Sequence, residues 1–321
     1  MKKLTICRLF YAVYLASASF SSAFGENPLL FNHDCLSIRL PCQEEEWAQE
    51  RQSSQGTLFT ASIAPMTLGQ ALSILSKGQK HEFSSFQIRI LIAAVYVEFW
   101  QAACHSPASA DDGQGSWKDR IHQLLEAWNT CFHSGSRRRV ESTSICELMT
   151  METSLEFDAL ALYRHIKVGL VYPLRHLAQQ FSENDAAAEA IASALWCLRS
   201  QVHRSSEMTK VMSHCLETLQ LPLSRGARFI ARTGPLYWGV EHVPLGSILC
   251  VLLCLWTSRF NESGAPPINE MEESILDQLI TMLRDAGFRP RIQNLPSMLA
   301  GIWETMLDSS CYVWMGKASE A

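Results

Sequence analysis

Apolar residues recur at spacings of three and four along nearly the whole chain, and the period-two alternation of strands is nearly absent. The spacing predicts a first helix over Thr5–Phe24, stopped by Gly25 and Pro28, in which Leu9, Val13, Tyr14, Phe20 and Phe24 fall near helical period. Leu29–Pro41 reads as an extended loop, with Leu36, Ile38 and Leu40 alternating against polar neighbours, and Glu44–Glu50 as a short helix carrying Trp47. Further helices are expected over Met66–Ser76 (ended by Gly78), Ser84–Ala103, Trp117–Cys131 and Thr150–Tyr172, the last broken at or before Pro173 and resuming as Leu174–Phe181. Asp185–Val202 follows, capped by Ser182 or Asn184, then Ser206–Leu221 ended by Pro222, and the very apolar Pro244–Phe260. Asn269 is the expected cap of Glu270–Asp285, which Gly287 ends, and Pro296–Asp308 is the last helix. Polar loops are expected near 105–116, 134–140 and 261–269. The pattern predicts an all-α chain of about ten helices, forming one large globular domain over residues 1–321 with no internal repeat.

Composition narrows the class. The chain has 321 residues, 47% of them hydrophobic, which lies slightly above the about 250–300 residues that one core usually supports. A net charge of −5 gives no general attraction to nucleic acid or to an anionic membrane. The 11 cysteines are odd in number and scattered through apolar helical stretches, the usage of small buried hydrophobes in a reducing compartment rather than of a disulfide scaffold.

Candidate chemistry is sparse. Leu245–Trp256 is too short for the roughly 18–20 residues of a membrane span and reads as a core helix. Cys250 and Cys254 share a helix face, but no histidine or cysteine pair stands ready to complete a metal site, and Cys131–His133 and His214–Cys215 are weaker still. No nucleophile elbow, dinucleotide turn, phosphate loop or zinc-protease helix is present; Gly113–Gly115 lies in a polar loop. His165, His176 and His203 read as surface or satisfied core residues. Arg137–Arg139 reads as a solvated basic loop, without the aromatic interleaving of a nucleic-acid contact. Asp111 and Asp112 also fall in a loop, not on a helix facing a cavity as a helical metal-dependent cyclase requires. The residues therefore nominate no catalytic, cofactor-binding, metal-binding or DNA-binding side chain in this chain, and no enzyme.

The first 23 residues support two readings. Met1–Lys3 is positive, Leu4–Leu15 is mostly apolar, and Ala16, Ala18 and Ala23 are small, as in an export signal over about residues 1–23 of a secreted helical protein. Against this, Arg8 interrupts the apolar run and the helical pattern continues past any cleavage point.

A resemblance bears on that choice. Arg8–Tyr14 (RLFYAVY), Asn27–Leu30 (NPLL) and Leu36–Cys42 (LSIRLPC) with Glu44–Trp47 resemble, in order and spacing, the middle homology region of fungal-specific transcription factors. Downstream, Glu156–Arg164, Glu272–Leu283, Ile302-Trp303 and Tyr312–Trp314 are similar to later parts of the same proteins. Arg228–His242 (RFIARTGPLYWGVEH) resembles a segment of members whose zinc finger is the two-cysteine, two-histidine type rather than the six-cysteine type. The resemblance implies a nuclear, non-catalytic domain regulating transcription by RNA polymerase II through effectors, coregulators or a second copy of itself, with no membrane partner. It also implies that the chain begins partway through the homology region, that zinc belongs to a DNA-binding module outside this chain, and that DNA is reached only through that module. Position 16, alanine here, is often aspartate in relatives. The resemblance implies that Pro41-Cys42 lies across helices with Trp47 as an anchor, and that Arg232-Thr233-Gly234-Pro235 is a tight inter-helix turn.

Overall fold

The computed structural model describes residues 2–41, 66–105, 117–140, 151–172, 174–175, 199, 201–237, 239 and 241–308. Among these the protein is all-helical, with eleven α-helices and no strand. The chain divides into two compact units, one of Met1–Ser21 with Asn27–Tyr163 and the other of Ser22–Glu26 with Arg164–Ala321. The segments 42–65, 106–116 and 176–198, with the expected Trp47 helix, the Asp111-Asp112 loop and most of Asp185–Val202, lie outside the described residues, as does the tail after Asp308.

Unit 1 contains α1 (Lys2–Phe24, up to Ser21), α2 (Asn32–Cys35), α3 (Leu68–Ser76), α4 (Ser85–His105), α5 (Trp117–Val140) and the start of α6 (Met151–Gly169). Helix α4 is its centre: every residue from Ile88 to Val97 is buried, the signature of a helix enclosed on all sides. Helices α2, α3 and α5 pack around it. From α5, Trp128 is fully buried, stacks between Phe132 and Tyr163 at 5.0 and 5.3 Å, and donates its indole N–H to the Ile88 carbonyl at 3.0 Å. Thr67 and Gln70 form the capping box that starts α3, and Gly78 (φ 64°) ends it.

Helix α1 forms where the spacing predicts, yet it buries a different face. Tyr11, Tyr14 and Ala18 are fully enclosed and Ser17, Ser19 and Ser21 nearly so, while Ile6, Leu9, Val13 and Phe20 point outward, each at least half exposed. Of the five apolar positions that fall near helical period, Tyr14 alone is fully buried. The small hydroxyls of α1 find partners on α4: Ser21 pairs with the Tyr96 hydroxyl at 3.0 Å, and Ser19 accepts from the buried Arg89 at 3.0 Å.

Unit 2 contains α7 (Ser206–Arg225), α8 (Ala227–Tyr237), α9 (His242–Ser258), α10 (Glu270–Asp285) and α11 (Leu295–Asp308). The apolar run Leu245–Trp256 is the core helix the sequence indicates, with Ile248, Leu249, Leu252, Leu253 and Trp256 buried. No helix among the described residues is long and apolar enough to cross a membrane. Helix α9 packs on α11 and α7, and α7 packs on α10. Gly246 sets the α9–α11 distance: a Cβ there would lie 2.3 Å from the Trp303 ring, whose indole N–H donates to Ser247 at 2.7 Å.

Three helices run further than the local composition suggests. Helix α7 continues through Pro222 to Arg225 and turns at Gly226 (φ 91°). Proline there removes one late amide bond, while Leu219 and Leu223 on either side are buried in the core and keep the last turn in place. Helix α8 runs through Thr233-Gly234-Pro235, so this stretch is not the inter-helix turn that was expected. A residue before proline avoids the helical region because its Cβ meets the proline ring; Gly234 has no Cβ and removes that obstacle. Helix α5 extends over 134–139, where a loop was expected.

Candidate functional site

Three places concentrate polar groups. The first is the return of the chain over α1 in unit 1. Tyr11 donates to the Ile38 carbonyl at 3.1 Å, Tyr14 donates to the Asn32 carboxamide oxygen at 2.6 Å, and Ser17 accepts from the Leu29 amide at 2.7 Å. The Cys7 thiol donates to the Arg39 carbonyl at 2.7 Å. Burial first of all holds both phenols well above their ordinary range, so they remain neutral donors. The carboxamide of Asn32 in turn donates to the Ala94 carbonyl on α4 at 2.8 Å. Ile38–Leu40, the alternating segment, lies extended against Met66–Leu68: Leu40 donates to Met66 at 2.8 Å and Leu68 to Ile38 at 3.0 Å, an isolated antiparallel bridge rather than a strand. Pro41 is buried, and its carbonyl accepts from Gln87 of α4 at 2.8 Å; Cys42 and Trp47 lie outside the described residues.

Beside this return opens a cleft of about 480 Å³. Leu36, Leu72 and Leu124 form its apolar part, and the Glu98–Arg120 ion pair at 2.6 Å closes one side. The rest of its polar lining is Asn32, His33, Ser73, Ser76 and Gln101; Asn32 is held by Tyr14 and the Ala94 carbonyl, and His33 lies 3.3 Å from Asp34.

The second place is the junction before α7 and α10 in unit 2. Arg204 is 7% exposed and Glu272 is 1% exposed, and they meet in a two-pronged pair at 2.8 and 2.5 Å. The same guanidinium donates to the Pro266 and Pro267 carbonyls at 2.7 and 2.9 Å and lies 4.2 Å from the Phe260 ring centroid. Glu272 also accepts from the Asn269 amide at 3.0 Å, closing the capping box of α10. Burial pushes the Glu272 carboxyl up, but the Arg204 hydrogen bond, the Asn269 amide and the Arg204 charge together hold it below the usual value. Next to it, Glu262 bridges Arg199 and Arg259 at 3.0 and 2.8 Å, and Arg259 reaches back to the Val202 carbonyl at 2.9 Å and to that of Arg199. The Arg199 hydrogen bond is the main reason the Glu262 carboxyl is lowered.

The third is the α7–α9–α11 core. The Cys250 and Cys254 thiols face the Leu299 and Pro296 carbonyls at 3.8 and 3.5 Å. The Cys250 thiol is raised first by its hydrogen bond with Cys254, and burial raises that of Cys215, so both stay protonated and pack as small hydrophobes. His165, buried at 5% exposure, has its pKa pushed down to about 4 by burial and stays neutral. Cys131 is buried, whereas His133 is exposed and His214 only partly covered. In the RFIARTGPLYWGVEH stretch, Ile230 and Ala231 are buried, and Gly239 leaves room for the buried Glu241 carboxylate, which a Cβ would meet at 2.4 Å.

Among the described residues no group of three or more histidines, cysteines and acids is placed to hold a metal ion. The Arg204–Glu272 and Arg259–Glu262 pairs were not nominated from sequence. Asn269-x-x-Glu272 is legible as a cap, but partners 68 residues apart carry no local signal.

No curated protein and no solved structure matches the chain. Residues 174–317, somewhat under half of the chain and nearly all of unit 2 after α6, match the family model of the fungal transcription factor C-terminal domain, and this part of the protein is similar to a transcription-factor domain.

Proposed function

We propose that the chain is a non-catalytic regulatory module of a fungal transcription factor of the zinc-finger type, acting in the nucleus on transcription by RNA polymerase II. The observation that carries this reading is the match of residues 174–317 to the fungal transcription factor C-terminal domain. The polar clusters support it: their charges are spent on one another and on main-chain carbonyls, as in a scaffold that presents surfaces rather than a site that turns over substrate. DNA contact belongs to a zinc-binding module, of the two-cysteine, two-histidine type, outside these residues. The module acts through an effector, a coregulator or a second copy of itself.

The test fuses the whole chain to an unrelated DNA-binding domain and reads a reporter beneath that domain's site, with a fluorescent tag reporting location. A several-fold change in reporter output with nuclear signal is expected. An unmoved reporter together with exclusion of the tagged chain from the nucleus overturns the reading.

A further inference from the structure

Some arginines of unit 2 hold carboxylates and others do not. Arg164, Arg199, Arg204 and Arg259 each hold a carboxylate. Arg225, Arg228 and Arg232 are exposed and hold no carboxylate among the described residues. Arg225 is the last residue of α7, one position before the Gly226 corner; Arg228 and Arg232 are four apart on α8. Phe229 lies between them and is 49% exposed, although Ile230 and Ala231 behind it are each only 3% exposed. From Thr218 to Val240 the sequence holds these three arginines and no carboxylate, in a chain of net charge −5. A large ring left in water amid unpaired guanidinium groups is the composition of an interface centre, where arginine and aromatic residues are enriched.

We propose that the Arg225–Arg228–Phe229–Arg232 face docks an acidic, amphipathic peptide segment of a partner protein. Its carboxylates take the planar guanidinium forks, and an apolar side chain covers Phe229. Arg228 and Arg232 are separated by about 6 Å along the helix axis, the separation of acidic residues four apart on a facing helix. A nucleic acid fits less well. A phosphate backbone gives Phe229 nothing apolar to meet, a single ring is not a stacking platform for successive bases, and the acidic chain repels a polyanion at long range.

The inference rests on the reading that the chain works through partners, and specifies the surface. The test measures fluorescence anisotropy of a labelled peptide with Asp and Glu at every third or fourth position around Leu and Phe, titrated with the full chain. Binding that weakens with added salt is expected. The double variant Arg228→Glu/Arg232→Glu should lose about tenfold or more, with unchanged thermal unfolding because both arginines are exposed, and Phe229→Ala should lose several-fold. A lysine-substituted peptide should bind the double variant better than the parent chain. Equal binding by parent and variants overturns the proposal, as does equal binding of a peptide lacking Leu and Phe, or tighter binding of a single-stranded oligonucleotide. A failed peptide titration with a responsive reporter sinks this surface alone; a silent reporter with intact peptide binding sinks the transcriptional reading instead.

Discussion

In unit 1 the connection after α1 is tied to α1 and α4 by neutral groups: two phenols, a serine hydroxyl and a carboxamide reach main-chain atoms or one another across 2.6–3.1 Å. In unit 2 the connections before α7 and α10 are held by ions: Arg204 with Glu272, and Glu262 with Arg199 and Arg259, with spare guanidinium N–H groups ending on carbonyls. Each task is the same, to fix a non-helical connection whose backbone groups are partly withdrawn from water. The neutral solution adds about 1 kcal/mol per bond and is insensitive to pH. The ionic solution withdraws charges from water at a cost of several kcal/mol per ion, so it is stable only when every lone pair and N–H finds a partner. That explains why Arg204 touches two prolyl carbonyls and a phenyl ring as well as its carboxylate.

The largest effect expected from this contrast is at Glu272. Replacing it with alanine strands a guanidinium that is 7% exposed and removes the carboxylate half of the α10 capping box, so a loss of about 3–5 kcal/mol is expected in chemical denaturation of the full chain. Replacing Arg204 and Glu272 together by methionine and leucine should recover a good part of that loss, because no charge is then left unpaired. If the double replacement is as damaging as Glu272→Ala alone, the pair is not held together as an ionic unit.

The next effect is in pH dependence. His165 has a native pKa of about 4 against an ordinary 6.5, so the unfolded chain takes up a proton that the folded chain refuses. Stability is therefore full above pH 6.5 and falls as pH drops toward about 4, by roughly 3 kcal/mol from this group. Glu272 and Glu262 have lowered native pKa values; their contribution is present above the ordinary carboxyl value of 4.5 and is lost as pH falls below it. All these groups belong to unit 2. Hydrogen exchange followed from pH 7 to pH 4 should show unit 2 amides losing protection first, and His165→Phe should remove the upper part of the decline. Earlier loss in the 27–41 segment reverses the comparison.

A smaller effect is expected at Gly246. Valine there drives a side chain into Trp303, whose ring already lies where a Cβ would stand, and costs about 1–3 kcal/mol as overpacking. Gly301, two residues before Trp303 on α11, has open space at its Cβ position and should accept alanine without loss, the control that separates crowding from helix propensity. Thermal unfolding of both variants checks this.

The parts legible in the sequence share a physical reason. Helix interiors and ends announce themselves locally: Gly78 and Gly287 stop helices where glycine must take positive φ, and Asn269 caps α10 through its own neighbours. Helix faces are less local. Leu9, Val13 and Phe20 have the spacing of a buried stripe, yet the serines of α1 go inward because their hydroxyls find partners on α4 and in the returning chain. Proline misled at Pro222 because burial of Leu223 offset a local rule, and the turn that the resemblance implied at Thr233-Gly234-Pro235 is helix, where Gly234 has no Cβ to meet the proline ring. The polar clusters were illegible, since Arg204–Glu272 and Tyr14–Asn32 join residues far apart in the chain.

The smallest predicted effect is the one that most directly tests the neutral half of the contrast. Tyr14→Phe keeps the buried ring and its edge contact with Tyr11 at 6.2 Å, and removes only the hydroxyl that reaches Asn32 at 2.6 Å. The carboxamide of Asn32 keeps its bond to the Ala94 carbonyl, so α2 remains anchored to α4 and loses only its hydrogen bond to α1. A loss of about 1 kcal/mol follows, the usual net worth of one such bond. Because burial holds the Tyr14 phenol far above neutrality and a carboxamide does not titrate, the loss should be the same at pH 7 and at pH 5, unlike that of Glu272→Ala. A Tyr14→Phe penalty that grows as pH falls, or that matches the glutamate variant in size, would mean that the two connections are not held by different chemistry after all.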